Sequence, residues 1–369
     1  MREGWEYKKF EACINKTPKP KQVKTEEYNS GTKYPIVSQE DKLISGYYDD
    51  ESYVFHIDSP VVIFGDHTRV LKYVDFDFVV GADGVKIISP KQELNAKFLL
   101  YYLQWYKIPN LGYSRHYKLL KELNIPLPPK STQLAIVSEL DKINELIRLK
   151  KEQLKDFDNL AQSIFYEMFG DPVENEKGWE VKKLNEIVSD NCSISYGIVQ
   201  PGDGVENGVP VVRPVDMTKT FVSRKGLKNT TKEISDSYKR TILKGNEILM
   251  CVRGTTGLIS MATPELQGCN VTRGIAPIEC GPTCDKWFVF YQILNPAIQH
   301  HIAEYTRGIA LKQINMKDVR DIPLCLPSLS LQRLFAQRIE QIEHQKAEVQ
   351  KAIADLETLL ASRMQYWFE

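Results

Sequence analysis

The chain lacks most of what a membrane-bound or catalytic protein of its size would show. No apolar run approaches the roughly 18 residues of a membrane span. The opening Met1-Arg2-Glu3-Gly4-Trp5-Glu6 is polar and carries no apolar stretch of signal-peptide length. There is no G-x-x-x-x-G-K-[ST] loop to cradle nucleotide phosphates, and no G-x-G-x-x-G, H-E-x-x-H or G-x-S-x-G. An N-P-P-Y-like segment, expected of an enzyme that methylates a base amino group, is also absent. Asp75, Asp77 and Asp83 with Lys86 have the wrong spacing for a nuclease cluster and fit a solvated turn at Gly81-Ala82-Asp83-Gly84 better. Charge of one sign is not in excess either. Lys+Arg and Asp+Glu both count 48, so any affinity for a polyanion rests on charge placed locally. The seven cysteines are an odd number, and no His lies near Cys269, Cys280 and Cys284, which argues for free thiols in a cytoplasmic protein rather than disulfides or zinc.

What is present is ordinary globular material, 42 % hydrophobic and 26 % charged, over 369 residues, enough for two or three domains. Much of it is written twice. Gly4-Trp5-Glu6 with Phe10 returns as Gly178-Trp179-Glu180 with Leu184. Tyr34-Pro35-Ile36-Val37 returns as Val209-Pro210-Val211-Val212, Gly84-Val85 as Gly274-Ile275, and the run Phe98–Leu103 as Phe288–Ile293. Leu120-Lys-Glu-Leu123 answers Met316-Lys-Asp-Val319, and Ile125-Pro-Leu127 answers Ile322-Pro-Leu324. The matches keep one order in both halves.

Each half ends in a long helical pattern that opens after Pro128-Pro129 or Pro327, with Ser131, Thr132, Ser328 and Ser330 as candidate caps. Apolar residues then recur at alternating spacings of four and three. The first seam runs Ile136, Leu140, Ile143, Ile147, Lys150, Leu154, Phe157, Ala161, Ile164, Met168. The second runs Phe335, Ile339, Ile342, Lys346, Val349, Ile353, Leu356, Leu360, Arg363, Trp367. Such seams belong to a coiled coil or to the buried stripe of a globular helix, and their length favours the coil. Two matched seams are most simply buried against each other. A twofold relation between the halves would make the helices antiparallel, with the globular domains at opposite ends. The expected order is a domain at 1–130, a helix at 131–170, a second domain at 171–327 and a helix at 328–369. The expected class is α+β, two mixed α/β domains with a pseudo-twofold repeat.

The globular halves offer basic and polar loops. Between Arg213 and Lys244 nine basic residues, Lys225 among them, face three acids. This is a phosphate-binding surface or simply a solvated basic face. Arg253-Gly254-Thr255-Thr256-Gly257 is a glycine-flanked turn after the apolar Ile248–Val252, and Arg253 there has the reach for a bidentate contact with guanine. Arg273-Gly274 and Arg307-Gly308 repeat an Arg beside a Gly. In the first half Asp66-His67-Thr68-Arg69, Lys86 and Tyr113-Ser114-Arg115-His116-Tyr117-Lys118 hold the comparable places, the last opposite Ile309–Ile314 with Lys312 and Gln313. The frames match and the tips differ, as in two readers with different targets. Arg69, Lys86, Arg115, His116, Arg213, Lys225, Arg253, Thr255, Arg273, Arg307, Lys312 and Gln313 are therefore the candidate DNA-binding residues.

Two globular domains, each followed by a long helix introduced by Ile125-Pro-Leu-Pro128 or Ile322-Pro-Leu-Cys325 and then Gln133 or Gln332, resemble the specificity subunits of type I restriction-modification systems. The Gly-Trp-Glu opening of each half and the glycines before the Ile-Pro-Leu segments (Gly112, Gly308) fit as well. The resemblance covers residues 4–369, with Cys325 a departure from the second proline. It implies two target-recognition domains held by an antiparallel coiled coil, each reading one half of a bipartite site on double-stranded DNA. It also implies docking of two copies of a methylation subunit and of an ATP-driven restriction subunit. S-adenosylmethionine, ATP and Mg would then serve those partners, with no cofactor or catalytic site on this chain. The alternatives are a coiled-coil scaffold whose ends bind protein, and a fused nuclease or methyltransferase.

Overall fold

Each half is closed by pairing its first strand with its last. Glu6–Lys9 runs antiparallel to Asn124–Leu127, and Glu180–Lys183 to Pro323–Leu326. The computed structural model describes residues 2, 4–112, 114–308 and 311–369. It divides into two compact units, residues 1–152 with 350–369, and residues 153–349.

The two units share one topology. In the first, Val61–Gly65 lies between Leu71–Val74 and Val85–Pro90, all antiparallel, while Tyr34–Val37 pairs antiparallel with Gly46–Tyr48 and parallel with Phe78–Val80. In the second, Ile248–Cys251 lies between Ile259–Met261 and Ile275–Ile278, and Val209–Val212 pairs antiparallel with Lys228–Thr230 and parallel with Asn270–Val271. The central strands Val61–Gly65 and Ile248–Cys251 are buried at every position, which explains why they read as continuous apolar runs instead of alternating. A helix, Ala96–Tyr106 or Lys286–Leu294, packs into each core, started by a side-chain cap from Asn95 or Asp285.

The repeat can be checked bond by bond, and the check corrects the sequence alignment in two places. The N–H of Phe10 donates to Leu123 as that of Leu184 does to Ile322, so Leu123 corresponds to Ile322 and Leu120 to Val319. The pairing of Leu120–Leu123 with Met316–Val319 was one turn out. Lys9 faces Asn124 where Lys183 faces Pro323, so Pro126 corresponds to Cys325 and Pro128 to Pro327. The Ile-Pro-Leu match was two residues out, a slip that keeps every side chain on its own face of a strand and so escapes a pattern search. Cys325 thus replaces the first proline of that segment, and it brings an N–H that Pro126 lacks. Gln292 accepts that N–H at 2.6 Å and donates to the Cys325 carbonyl at 2.9 Å.

Gln133 and Gln332 are the same part in both units. Both are buried, at 1 % and 0 % exposure. Gln133 donates to the carbonyls of Pro128 and Glu93, each at 2.9 Å, and accepts the N–H of Asn95 at 2.8 Å. Gln332 donates to Pro327 at 2.8 Å and Thr283 at 3.4 Å, and accepts the N–H of Asp285 at 2.9 Å. One amide therefore ties the start of a long helix to the start of the shorter helix in the core.

The long helices are Lys130–Phe169 and Leu329–Phe368, 40 residues each, or about 60 Å at 1.5 Å per residue. All twenty seam positions are buried or half-buried. In the first unit the start of one helix (Ile136, Leu140) shares a core with the end of the other (Leu360, Met364, Trp367, Phe368). In the second unit Ala161, Phe165 and Phe169 meet Phe335, Ala336 and Ile339. Starts packing against ends make the pair antiparallel. Phe165 and Phe169, one position past the seam, are nearly fully buried because they stack into Phe288 and Phe335 at 4.7–5.9 Å.

All seven cysteines are free. Among the described residues no group of three or more His, Cys, Asp or Glu is arranged to hold a metal, and no helix is long and apolar enough to cross a membrane.

Replacing Gln332 by Leu would leave the Asp285 N–H and two carbonyls buried without partners. We expect a cost of about 1–3 kcal/mol, read as a lower urea midpoint with an unchanged m-value. An unaltered midpoint would show that the amide fastens nothing.

Candidate nucleic-acid interface

Arg69, Arg253 and Thr255 fall on the loops that follow the two fully buried strands, and most other candidates lie on the segments bonded to those loops. After Val61–Gly65 the chain turns through Asp66-His67-Thr68-Arg69. The Asp66 N–H donates to the Gly84 carbonyl at 2.7 Å, and its carbonyl receives the His116 N–H at 2.9 Å. After Ile248–Cys251, the Val252 N–H donates to Gly274 at 2.8 Å, and the Val252 carbonyl receives the Ile314 N–H at 3.0 Å. One backbone frame thus brings three loops together in each unit.

In the first unit these loops carry Arg69 and Arg115, and Lys86 lies at the start of the adjoining strand Val85–Pro90. Arg69 adopts a left-handed backbone (φ 62°) and donates from Nη1 to the Ile108 carbonyl at 3.1 Å. Arg115 is exposed and pairs with Asp83 at 3.3 Å. Lys86 lies 3.7 Å from the Asp66 carboxylate. Gly84 sits at φ +97°, and a Cβ there would come within 2.8 Å of Gln39, whose side chain reaches into the same turn.

His116 does not present its ring to a ligand. It is fully buried, its Nδ1 lies 2.9 Å from the Asp66 carbonyl, and its Nε2 accepts the Leu111 N–H at 3.0 Å. Both ring nitrogens are thus taken up by backbone groups. The polar stretch around His116 concealed this, because a histidine that holds a turn and one that contacts DNA look alike in sequence.

In the second unit the cluster is tighter. Arg307 and Gln313 exchange two backbone hydrogen bonds at 2.8 Å, and the Gly254 N–H donates to Lys312 at 2.8 Å, so Arg253, Thr255, Arg307, Lys312 and Gln313 lie on adjoining strands and turns. A Cβ on Gly274 would meet Pro214 at 2.7 Å, which shows how closely the Arg213-Pro214 and Arg273-Gly274 segments approach. The Arg273 guanidinium lies 6.0 Å from the Tyr196 ring centre. Arg213 is held by Asp216 through both Nε and Nη2, at 3.0 and 2.8 Å, and that carboxylate raises the guanidinium above its ordinary value.

The basic stretch between Arg213 and Lys244 is only partly available. Lys232 pairs with Asp236 and Lys244 with Glu279. Lys219, Lys225, Lys228, Lys239 and Arg240 make no ion pair among the described residues. Lys225 sits in the turn beside Arg224, which bonds to the Glu265 carbonyl, and its own N–H donates to the Ser223 hydroxyl. Tyr113, Ile309 and Ala310, also on the expected tips, lie outside the described residues. Sequence reading named Asp66 only as part of its tip and left it, with Gln39 and Tyr196, out of the candidates, though the first two tie the first tip and Tyr196 lies beside Arg273.

The model of the type I restriction modification DNA specificity domain matches residues 2–156 and 176–358. The chain belongs to this family. It is 24 % identical over 260 residues to the type I restriction enzyme EcoBI specificity subunit of Escherichia coli, covering 64 % of this chain but only 55 % of that protein. It is 26 % identical over 250 residues to the EcoR124I/EcoR124II specificity subunit of the same organism, covering 63 % and 60 %. The putative MjaX specificity subunit of Methanocaldococcus jannaschii is 24 % identical over 318 residues, 77 % of this chain and 72 % of that one. Two solved structures share the fold. One is the S subunit of a type I restriction-modification system from M. genitalium (TM-score 0.56, 16 % identity, covering 99 % of this chain and 96 % of that one). The other is a chain from a structure on complex assembly and conformational transition of the type I R-M system (TM-score 0.56, 18 % identity, covering 100 % and 98 %).

His116→Ala should remove partners from the Leu111 N–H and the Asp66 carbonyl. At about 1–3 kcal/mol, and about 2–4 °C per kcal/mol for a unit of this size, the melting temperature should fall by roughly 2–12 °C. A variant that melts like the wild type would free the ring for a role at the surface.

Proposed function

We propose that this chain is the DNA-reading subunit of a type I restriction-modification complex. Each unit reads one part of a bipartite site on double-stranded DNA, and the chain docks a methylation subunit in two copies together with a restriction subunit. Those partners carry the chemistry, with S-adenosylmethionine, ATP and Mg, in the cytoplasm. The chain itself contributes recognition and no catalysis. One observation carries the reading above all: two units share the main strands and frame bonds, while the loops that the frame brings together differ in every candidate side chain. A common frame with divergent tips suits two readers of different sequences, whereas a scaffold gripping two copies of one partner would keep its tips alike.

The reading is tested by exchanging residues 1–125 for the matching segment of another family member and mapping methylated adenines in host DNA. One half-site should change and the other persist. Simultaneous loss of both, in a chain that still accumulates and melts normally, would rule out independent reading.

Within the second unit, Arg253→Ala and Arg273→Ala should relax base preference at one half-site. A good bidentate contact contributes about 1–3 kcal/mol of discrimination. Lys225→Ala should weaken binding to all sequences alike and shallow the salt dependence by about one phosphate contact. Full discrimination by both arginine variants would mean that their side chains do not face bases.

A further inference from the structure

The tip of the first unit is organised around a carboxylate that is out of reach of any ligand. Asp66 is 2 % exposed. Its N–H and carbonyl make the frame bonds already described, and its carbonyl also faces His116 Nδ1. Its carboxylate accepts the Tyr117 N–H at 2.7 Å and faces Lys86 Nζ at 3.7 Å. Lys86 in turn lies 5.9 Å from the centre of the Tyr117 ring. From the turn that carries Arg69, Asp66 is therefore bonded to the two segments that carry Lys86 and Arg115.

The second unit builds the same place without charge. Gly65 faces Val85 where Cys251 faces Ile275, and Phe64 faces Lys86 where Met250 faces Ala276. Asp66 thus corresponds to Val252 and Lys86 to Ala276, and the helices that open at Tyr117 and Met316 place those two alike, one residue off the register of the His116 and Ile314 frame bonds. The frame bonds survive in the second unit, but valine, alanine and methionine stand where the first has an aspartate, a lysine and a tyrosine. The Asp66–Lys86 pair joins a buried carboxylate to a lysine that is about a third exposed, and such pairs contribute little to stability. The fold itself therefore does not require the charge, and the second copy does without it.

We propose that Asp66 is the positioning residue of the first reading tip, setting the placement of Arg69 and Arg115, and that Lys86 is its counter-ion rather than a phosphate contact. The inference rests on the DNA-reading function proposed above.

The test uses the full chain in its host, with methylated adenines mapped for three variants: Asp66→Asn, Lys86→Ala, and Asp66→Val combined with Lys86→Ala and Tyr117→Met. Asp66→Asn should relax the first half-site at least about tenfold, within the range of one good base contact, and leave the second half-site untouched. The triple variant, which copies the apolar arrangement of the second unit, should still relax the first half-site. Lys86→Ala should leave the slope of log affinity against log salt on duplex DNA unchanged, where loss of a phosphate contact would reduce it by about 0.9. Wild-type discrimination in Asp66→Asn would overturn the proposal. So would equal loss at both half-sites with a lowered melting temperature, which would make Asp66 a stability residue alone. Absence of any bipartite methylated site in the wild type would overturn the DNA-reading function itself along with it.

Discussion

A helix of 40 residues with a single apolar stripe needs a partner along its whole length, and in this chain the partner must also complete a globular core. In the first unit Phe368 sits within 5.5–5.9 Å of Phe98, Tyr102 and Trp105, far away in sequence. In the second, Phe165 and Phe169 from the first long helix reach Phe288, which lies more than a hundred residues later. Neither core is finished by its own half of the sequence. The antiparallel pairing is for this reason part of each unit's folding, not a link added between finished domains, and the unit boundary falls within the helices (152/153 and 349/350) instead of at their ends.

Apolar seams alone would tolerate sliding, since one heptad resembles the next. The charged interruptions remove that freedom. Arg363 pairs with Glu139, which also accepts the Trp367 indole N–H at 2.9 Å. The Arg363 guanidinium holds the Glu139 carboxyl below its ordinary value. Lys346 is 7 % exposed and lies 2.8 Å from Asp158 and 2.6 Å from Glu343. Burial alone would lower its ammonium, but hydrogen bonds to those two acids outweigh it and raise the group. A shift by one heptad would take Asp158, its partner across the seam, away from Lys346 and leave it only Glu343, its neighbour on the same helix. The register is thus specified by what it would cost to lose it.

Periodicity made the long helices and the doubled domain plan legible in the sequence, because twenty seam positions and six ordered matches repeat a signal that one substitution cannot erase. Alignment within the short closing strand and the helix before it was not legible. A slip of two residues preserves a strand's faces and a slip of one turn preserves a helix's, so Pro126 was matched to Pro323 when its partner is Cys325. The tips were read by residue type alone. That suffices to collect Arg253, Arg307 and Gln313 near one another, but it does not separate the exposed Arg115 from its buried neighbour His116. Nor does it pick out Asp66, whose importance lies in having four partners from distant loops, and no local pattern records those.

The division between frame and tip follows from which atoms make each. The frame is made of backbone groups: Phe10 to Leu123 and Leu184 to Ile322, Asp66 to Gly84 and Val252 to Gly274. Such bonds are indifferent to side chains as long as the glycines and the strand register persist, so they constrain few positions. The tips are made of side chains, and there the two units differ freely, with Asp66, Lys86 and Tyr117 in one and Val252, Ala276 and Met316 in the other. A substitution at a tip alters what is presented without disturbing what holds it. Conversely, the buried amides of Gln133 and Gln332 serve backbone groups of the frame, and a change there would disturb the tip only by loosening the core beneath it. Recognition and stability are therefore separable in this fold to the extent that they are written in different atoms.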